Sequence, residues 1–170
     1  NQWLKLMVEN FSEQKQIVLG YGAYEKQDNF LSKLIRFDAY IIAVNYLSAA
    51  IRKKAYMGVG RNLAYTKELF FNEKGFSKHY HIESGDDDLF VNQAATESNV
   101  SVCTSKEAIT YSISKKNFKD WRIQKSRHLT TAPLYKGSSI TKIAFNYFSQ
   151  YAFYVPLFCL VISTKTILLF

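Results

Sequence analysis

The run from Tyr151 to Phe170 is almost wholly apolar, with one Lys and one Pro, and it constrains everything that folds before it. About 20 apolar residues is the length at which a helix crosses a bilayer. In hydrocarbon the backbone must satisfy its own N–H and C=O groups, so a spanning segment of this kind is a helix. Phe145, Tyr147, Phe148, Tyr151 and Tyr154 crowd its entry and match the aromatic belt of a membrane interface, while Lys125, Arg127, Lys136 and Lys142 upstream match a cytoplasmic flank. The expectation is a transmembrane segment over 144–170, a juxtamembrane linker over 131–143, and a folded part over 1–130 on the cytoplasmic side of an inner or plasma membrane.

At 48% hydrophobic and 21% charged, the chain has the composition of one globular domain rather than a disordered one. A net charge of +8 favours an anionic partner: a nucleotide, a nucleic acid or the acidic face of a membrane. Cys103 and Cys159 are too few and too far apart for a disulfide framework, and neither has the spacing of a zinc site. A reducing compartment suits them. Residue 1 is Asn, and an amphipathic pattern is already under way at Trp3, Leu4 and Met7. The chain is therefore expected to be a piece of a longer protein, with no signal-peptide architecture at its start.

Trp3, Leu4, Met7, Val8 and Phe11 fall at helical spacing and predict an amphipathic helix over 2–12. Ile17-Val18-Leu19 predicts a short buried strand closed by Gly20 and Gly22. A long helical pattern runs from Asp28 to Lys54, with Asp28 suited to its cap and Arg52-Lys53-Lys54 to the negative end of its dipole. Its most apolar part, 39–51, contains Asn45 and is short for a bilayer, which predicts buried core rather than a span. Asn62 to Tyr65 predicts a strand and Lys67 to Phe71 a helical turn. Residues 100–103 and 108–113 predict a hairpin or two neighbouring extended segments. Phe118 to Leu129 predicts a basic amphipathic helix of the kind that rests at a membrane surface. The order of helices and strands implies an α/β architecture.

Ser84-Gly85-Asp86-Asp87-Asp88-Leu89-Phe90 interrupts this basic, aromatic-rich sequence with three adjacent carboxylates. Like charges this close repel, and such a cluster suits metal binding, proton abstraction or helix capping. Asp at the head of the helical pattern through Leu89, Phe90, Ala94 and Ala95 is a good cap, but a cap needs only one acid. Gly58-x-Gly60-Arg61-Asn62 is the second informative stretch. Its glycines allow close backbone approach, and Arg61 suits a phosphate or an acid. A plain turn into a strand explains it equally well, and the third glycine of a dinucleotide fingerprint is missing. His79 and His81, with Glu83 and Asp86 nearby, offer a metal cluster, although alternating His is more often surface or packing detail.

Taken in order, Gly58-x-Gly60-x-Asn62, Gly85-Asp86-Asp87, Gln124-x-x-Arg127-His128 and the membrane segment resemble the second half of a membrane-bound family 2 glycosyltransferase of the GT-A fold. The resemblance covers nearly the whole chain, and its most specific part is the 37-residue spacing from Asp87 to Gln124 just before the hydrophobic span. It implies a partial GT-A-like domain followed by a transmembrane helix. It also implies inverting transfer of a sugar from a UDP- or GDP-sugar to a glycan or lipid-linked acceptor. In the family the acid motif supplies the general base. Matching the Gly-(Glu/Asp)-Asp pattern puts the base on Asp87, with Asp86 second because alignment on the following Leu shifts the register by one, and with Asp88 supportive.

Under the same resemblance, Gln124 and Arg127 contact the acceptor end and the leaving diphosphate. His128 stands where the family carries a Trp that stacks near the acceptor, and Gly58, Gly60 and Asn62 sit on the acceptor side of the cleft. The family's Asp-x-Asp motif, which holds Mg2+ or Mn2+ against the donor diphosphate, has no counterpart outside the acidic triplet. Asp86-x-Asp88 matches formally, but its context fits the base motif better. The resemblance thus implies that the metal ligands precede residue 1, and that these residues alone bind donor weakly and do not turn over.

Two further readings come from other classes. One is a non-catalytic basic membrane-associated module whose acids cap a helix and whose Lys/Arg cluster holds anionic lipid. The other is a metal-dependent phosphotransferase or nuclease built on the triplet. Nucleic acid is not expected as a partner, since no recognition-module motif is present and the aromatics fall in core and membrane patterns.

Overall fold

Ile17–Gly20 forms a strand, β1, with all four residues buried, and a strand hidden on both faces requires covering layers on both sides. The computed structural model that shows this describes residues 2–82 and 84–167. They fall into two units divided between Tyr135 and Lys136.

In the first unit β1 is the centre of a three-stranded sheet. After the short strand β2 (Gly22–Tyr24), β3 (Leu63–Tyr65) pairs antiparallel to β1 on one side, and β4 (Val100–Cys103) pairs parallel on the other, with Ile17 opposite both Tyr65 and Val100. Side chains alternate across the sheet. Ile17 and Leu19 join Tyr46, Phe90 and Val91 on one face, and Val18 meets Met7, Cys103 and Ala108 on the other. The first face is covered by α2 (Phe30–Ile51) and α4 (Asp88–Ala94), and the second by α1 (Gln2–Val8). The architecture is thus mixed α/β.

Helix α2 presents Ile35, Ala39, Ala43, Tyr46 and Ala50 to the sheet, the spacing of one helical face. The buried Tyr46 hydroxyl donates to the Gly20 carbonyl at 2.6 Å. Asn29, rather than Asp28, caps the helix, its side chain accepting from the Ser32 N–H at 2.8 Å; Asp28 instead lies 3.6 Å from Lys33. The far end closes where Lys53 turns left-handed at φ 59° and the Lys54 N–H reaches back to the Ala49 carbonyl at 2.8 Å, a C-terminal closure of the Schellman kind.

Other departures have local causes. The helix expected over 2–12 is regular only to Val8, with turns at Glu9 and Asn10. Helix α3 (Lys67–Asn72) is the anticipated helical turn, capped by the Thr66 hydroxyl. The two extended segments near 100–113 do not form a hairpin. A 3-10 turn at Lys106–Ala108 separates them, so β4 joins the main sheet while β5 (Thr110–Ser112) pairs parallel with β2.

Helix α5 (Phe118–Leu129) follows, then a 3-10 turn at Ala132–Leu134. The second unit is α6 (Gly137–Ile167), which contains Pro156. Its stretch Gly137–Ser163 is long and apolar enough to cross a membrane. The helix begins inside the linker expected over 131–143, because nothing from Ser138 to Ile143 breaks a helix. Residues 168–170 of the expected span lie outside the described residues. Helix α2 is also long and apolar enough to cross, with a third of that stretch buried.

Candidate functional site

Gly85 sets the geometry of the acid loop. Its φ is +99°, and a Cβ there would lie 2.5 Å from Thr131 Cγ2 and 2.8 Å from Asp88 Oδ1, so only glycine fits. The turn sends the three carboxylates apart. Asp86 is exposed and makes no hydrogen bond or ion pair among the described residues. Asp87 is half-buried and caps α4: its Oδ1 accepts from the Asp88 N–H at 2.8 Å and its Oδ2 from the Gly60 N–H at 2.5 Å. Asp88 faces inward, 5% exposed, and its Oδ2 accepts from the Thr131 hydroxyl at 2.8 Å and the Tyr135 hydroxyl at 2.6 Å. Its Oδ1 is buried with no partner among the described residues. Repulsion between neighbours is relieved by divergence and by separate donors.

The loop at 58–62 is the hub. Gly60 lies so near Asp87 that a Cβ would stand 3.1 Å from Asp87 Oδ2. Gly58 is buried, and a Cβ there would press on Val91 and Leu19, so this glycine serves packing. Arg61 lays its guanidinium 4.1 Å from the centre of the Tyr24 ring and donates to the Ala23 carbonyl at 3.1 Å. Asn62 is 1% exposed. Its side chain donates to the Tyr21 and Ala108 carbonyls at 3.0 and 2.7 Å and accepts from the Trp3 indole at 3.0 Å. It therefore braces α1, the β1–β2 junction and the turn before β5, and its polar atoms point into the protein.

Helix α5 joins the hub through Tyr24, whose hydroxyl accepts from Gln124 Nε2 at 3.4 Å. Asn117 caps the helix, accepting from the Asp120 N–H at 2.9 Å, and Lys125 holds both oxygens of Asp38 on α2 at 2.9 and 3.0 Å. The helix buries no side chain of its own. Arg127 and His128 are exposed in its last turn. Directly beyond, Thr131 and Tyr135 return the chain to Asp88, so the acid loop and the end of α5 are tied together.

Of the residues singled out in the sequence, Gly60 and Asp87 touch directly, and Gln124 reaches the same hub through Tyr24 and Arg61. Arg127 and His128 share that helix without touching the acids. Thr131, Tyr135 and Tyr24 escaped the sequence reading, since hydroxyls in a linker or a three-residue strand look like solvated polar groups until their partner is known.

Burial pushes the Tyr135 hydroxyl well above its ordinary value near 10, and the Asp88 carboxylate beside it, by charge and by hydrogen bond, pushes the same way. Tyr65 on β3 is raised by burial and by the charge of Asp86, which brings the exposed acid within electrostatic reach of that ring.

Among the described residues, none gather to fit a metal ion. Asp86 and Asp88 face opposite ways, the second held by two hydroxyls, and among the described residues no three His, Cys, Asp or Glu side chains gather. His79 and His81 lie in turns, and Glu83 lies outside the described residues. No family model matches the chain, and no curated protein matches it either.

Proposed function

We propose that this chain forms the acceptor side of an inverting, family 2-like glycosyltransferase, with its folded unit on the cytoplasmic face of an inner or plasma membrane. The observation that supports it is convergence: the glycine loop, the acid loop and the Gln-x-x-Arg-His helix, dispersed over residues 58–128, meet through Gly60–Asp87, Arg61–Tyr24–Gln124 and Asp88–Thr131/Tyr135.

A sugar hydroxyl is a poor nucleophile and needs a positioned carboxylate to take its proton. The acceptor oxygen bonds to the anomeric carbon as the bond from that carbon to the nucleoside diphosphate breaks, the proton passes to the carboxylate, and the configuration inverts. Asp87 spends both oxygens on backbone N–H groups, whereas Asp86 offers its carboxylate to solvent. We therefore assign the base to Asp86, the register obtained by aligning on Leu89, and give Asp87 the task of holding the Gly60 turn. The exposed guanidinium of Arg127 suits the leaving diphosphate, and Tyr24 fixes Gln124 and its helix. The donor is a UDP- or GDP-sugar whose Mg2+ or Mn2+ finds no ligand set among the described residues, and the acceptor is a glycan or a lipid-linked sugar.

The competing membrane-module reading draws on α5, none of whose side chains is fully buried. In the complete membrane protein, Asp86→Asn is expected to lower transfer by about 10²–10⁴-fold with donor affinity unchanged by titration calorimetry. Undiminished transfer in that variant would remove Asp86 as the base, and absence of transfer by the unsubstituted protein would favour the module.

A further inference from the structure

Helix α2 has two apolar faces, only one of which meets the protein. Opposite Ala39, Ala43 and Tyr46, the residues Phe30, Phe37, Val44 and Ile51 recur every seven positions and are 72%, 63%, 45% and 65% exposed, with Ile41 between them at 37%. A contiguous stripe of this kind on a folded unit marks a contact surface. The charges around it are mainly positive, and Asp28, the acid beside Phe30, pairs with Lys33 at 3.6 Å. Asp38, the one acid of α2, is neutralised by Lys125 of α5. Helix α5 carries four Lys/Arg against a single Asp and exposes Phe118, Ile123 and Leu129, and Arg52, Lys53 and Lys54 stand exposed where α2 ends. Most helices are held by packing an apolar face, whereas Trp121 is the one apolar side chain of α5 that is even partly buried.

We propose that the outward face of α2, flanked by α5, seats the folded unit in the interfacial region of an anionic phospholipid bilayer, a lateral contact separate from α6. An apolar stripe bordered by Lys and Arg is the pattern that enters the headgroup boundary and is drawn to anionic lipid. A second copy of the chain would offer the stripe an apolar partner but would set cationic rim against cationic rim, so charge selects the bilayer. The proposal stands independently of the glycosyltransferase reading.

The test uses the full chain with Cys103→Ala and Cys159→Ala, a nitroxide on Phe37→Cys, and phosphatidylcholine vesicles containing phosphatidylglycerol. Val44→Cys is a second site on the same stripe. Leu4→Cys is the reference, because Leu4 is apolar and 56% exposed but lies on α1, across the sheet from α2. Power saturation is expected to show labels at 37 and 44 more accessible to oxygen than to a water-soluble nickel chelate, the reverse at 4, and a shift toward water at 37 and 44 when phosphatidylglycerol is omitted. Labels at 37 and 44 as open to the chelate as the label at 4 would overturn the proposal. So would immobilisation of those labels in detergent that grows with protein concentration, which would assign the stripe to a second copy.

Discussion

Gly85 at φ +99° gives three neighbouring aspartates three fates: Asp86 in solvent, Asp87 on two backbone N–H groups, Asp88 under Thr131 and Tyr135. Substitutions should separate these roles. Asp87→Asn leaves one oxygen for two N–H donors and is expected to lower stability by about 1–2 kcal/mol, seen as a lower melting temperature, whereas Asp86→Asn should melt like the wild type. Tyr135→Phe removes a donor from a buried carboxylate and is expected to cost about 1.5–3 kcal/mol near neutral pH. The same hydroxyl sets a pH dependence. Its folded value lies above its unfolded one, so its stabilisation is complete below about pH 10. Above that, the unfolded state ionises first and stability falls as pH rises. Thermal melts of the chain in detergent across this range should show that fall, and Tyr135→Phe should make it shallower without removing it, because burial raises Tyr46 and Tyr65 as well. The acids were legible in the sequence as a cluster, but their division was not: it depends on a left-handed glycine and on hydroxyls some 43 to 47 residues away.

At the scale of elements, the buried run at β1 and the long pattern at α2 were readable from apolar spacing, since each is imposed by burial. The cap was misread by one residue because Asp28 and Asn29 are both good caps, and the choice fell to the neighbour aligned with the Ser32 N–H. Of the short strands β2 and β5, three residues each, only β5 left a periodic trace, in the alternating segment 108–113, and their parallel pairing is a tertiary outcome that such a segment cannot announce. The core on the α2 face turns on Phe90, fully buried and 4.6 Å from the ring of Tyr65. Phe90→Ala is expected to destabilise the unit by about 3–5 kcal/mol, measurable by denaturant titration, and to loosen the acid loop two residues upstream. Helix α5 makes the opposite prediction. Truncating its exposed Ile123 to Ala should leave the melting temperature of the detergent-solubilised chain unchanged within about 0.5 kcal/mol, because the side chain has no partner to lose there.

For the whole molecule, a basic α/β unit is followed by a helix long and apolar enough to cross a membrane, and the charge, the aromatic entry to α6 and the unburied face of α5 support the proposed membrane setting. On that scale the glycosyltransferase reading says why a glycine loop, an acid loop and a Gln-x-x-Arg-His helix should meet: an acceptor hydroxyl, a base and a phosphate-binding cation must stand around one anomeric carbon. Direct displacement at that carbon leaves a stereochemical record. The most direct measurement is the anomeric configuration of the first product formed by the complete protein from a UDP- or GDP-sugar of known configuration, followed by proton NMR. The account predicts inversion, abolished in Asp86→Asn; a product of retained configuration, or inverted product formed at the wild-type rate by that variant, would contradict it.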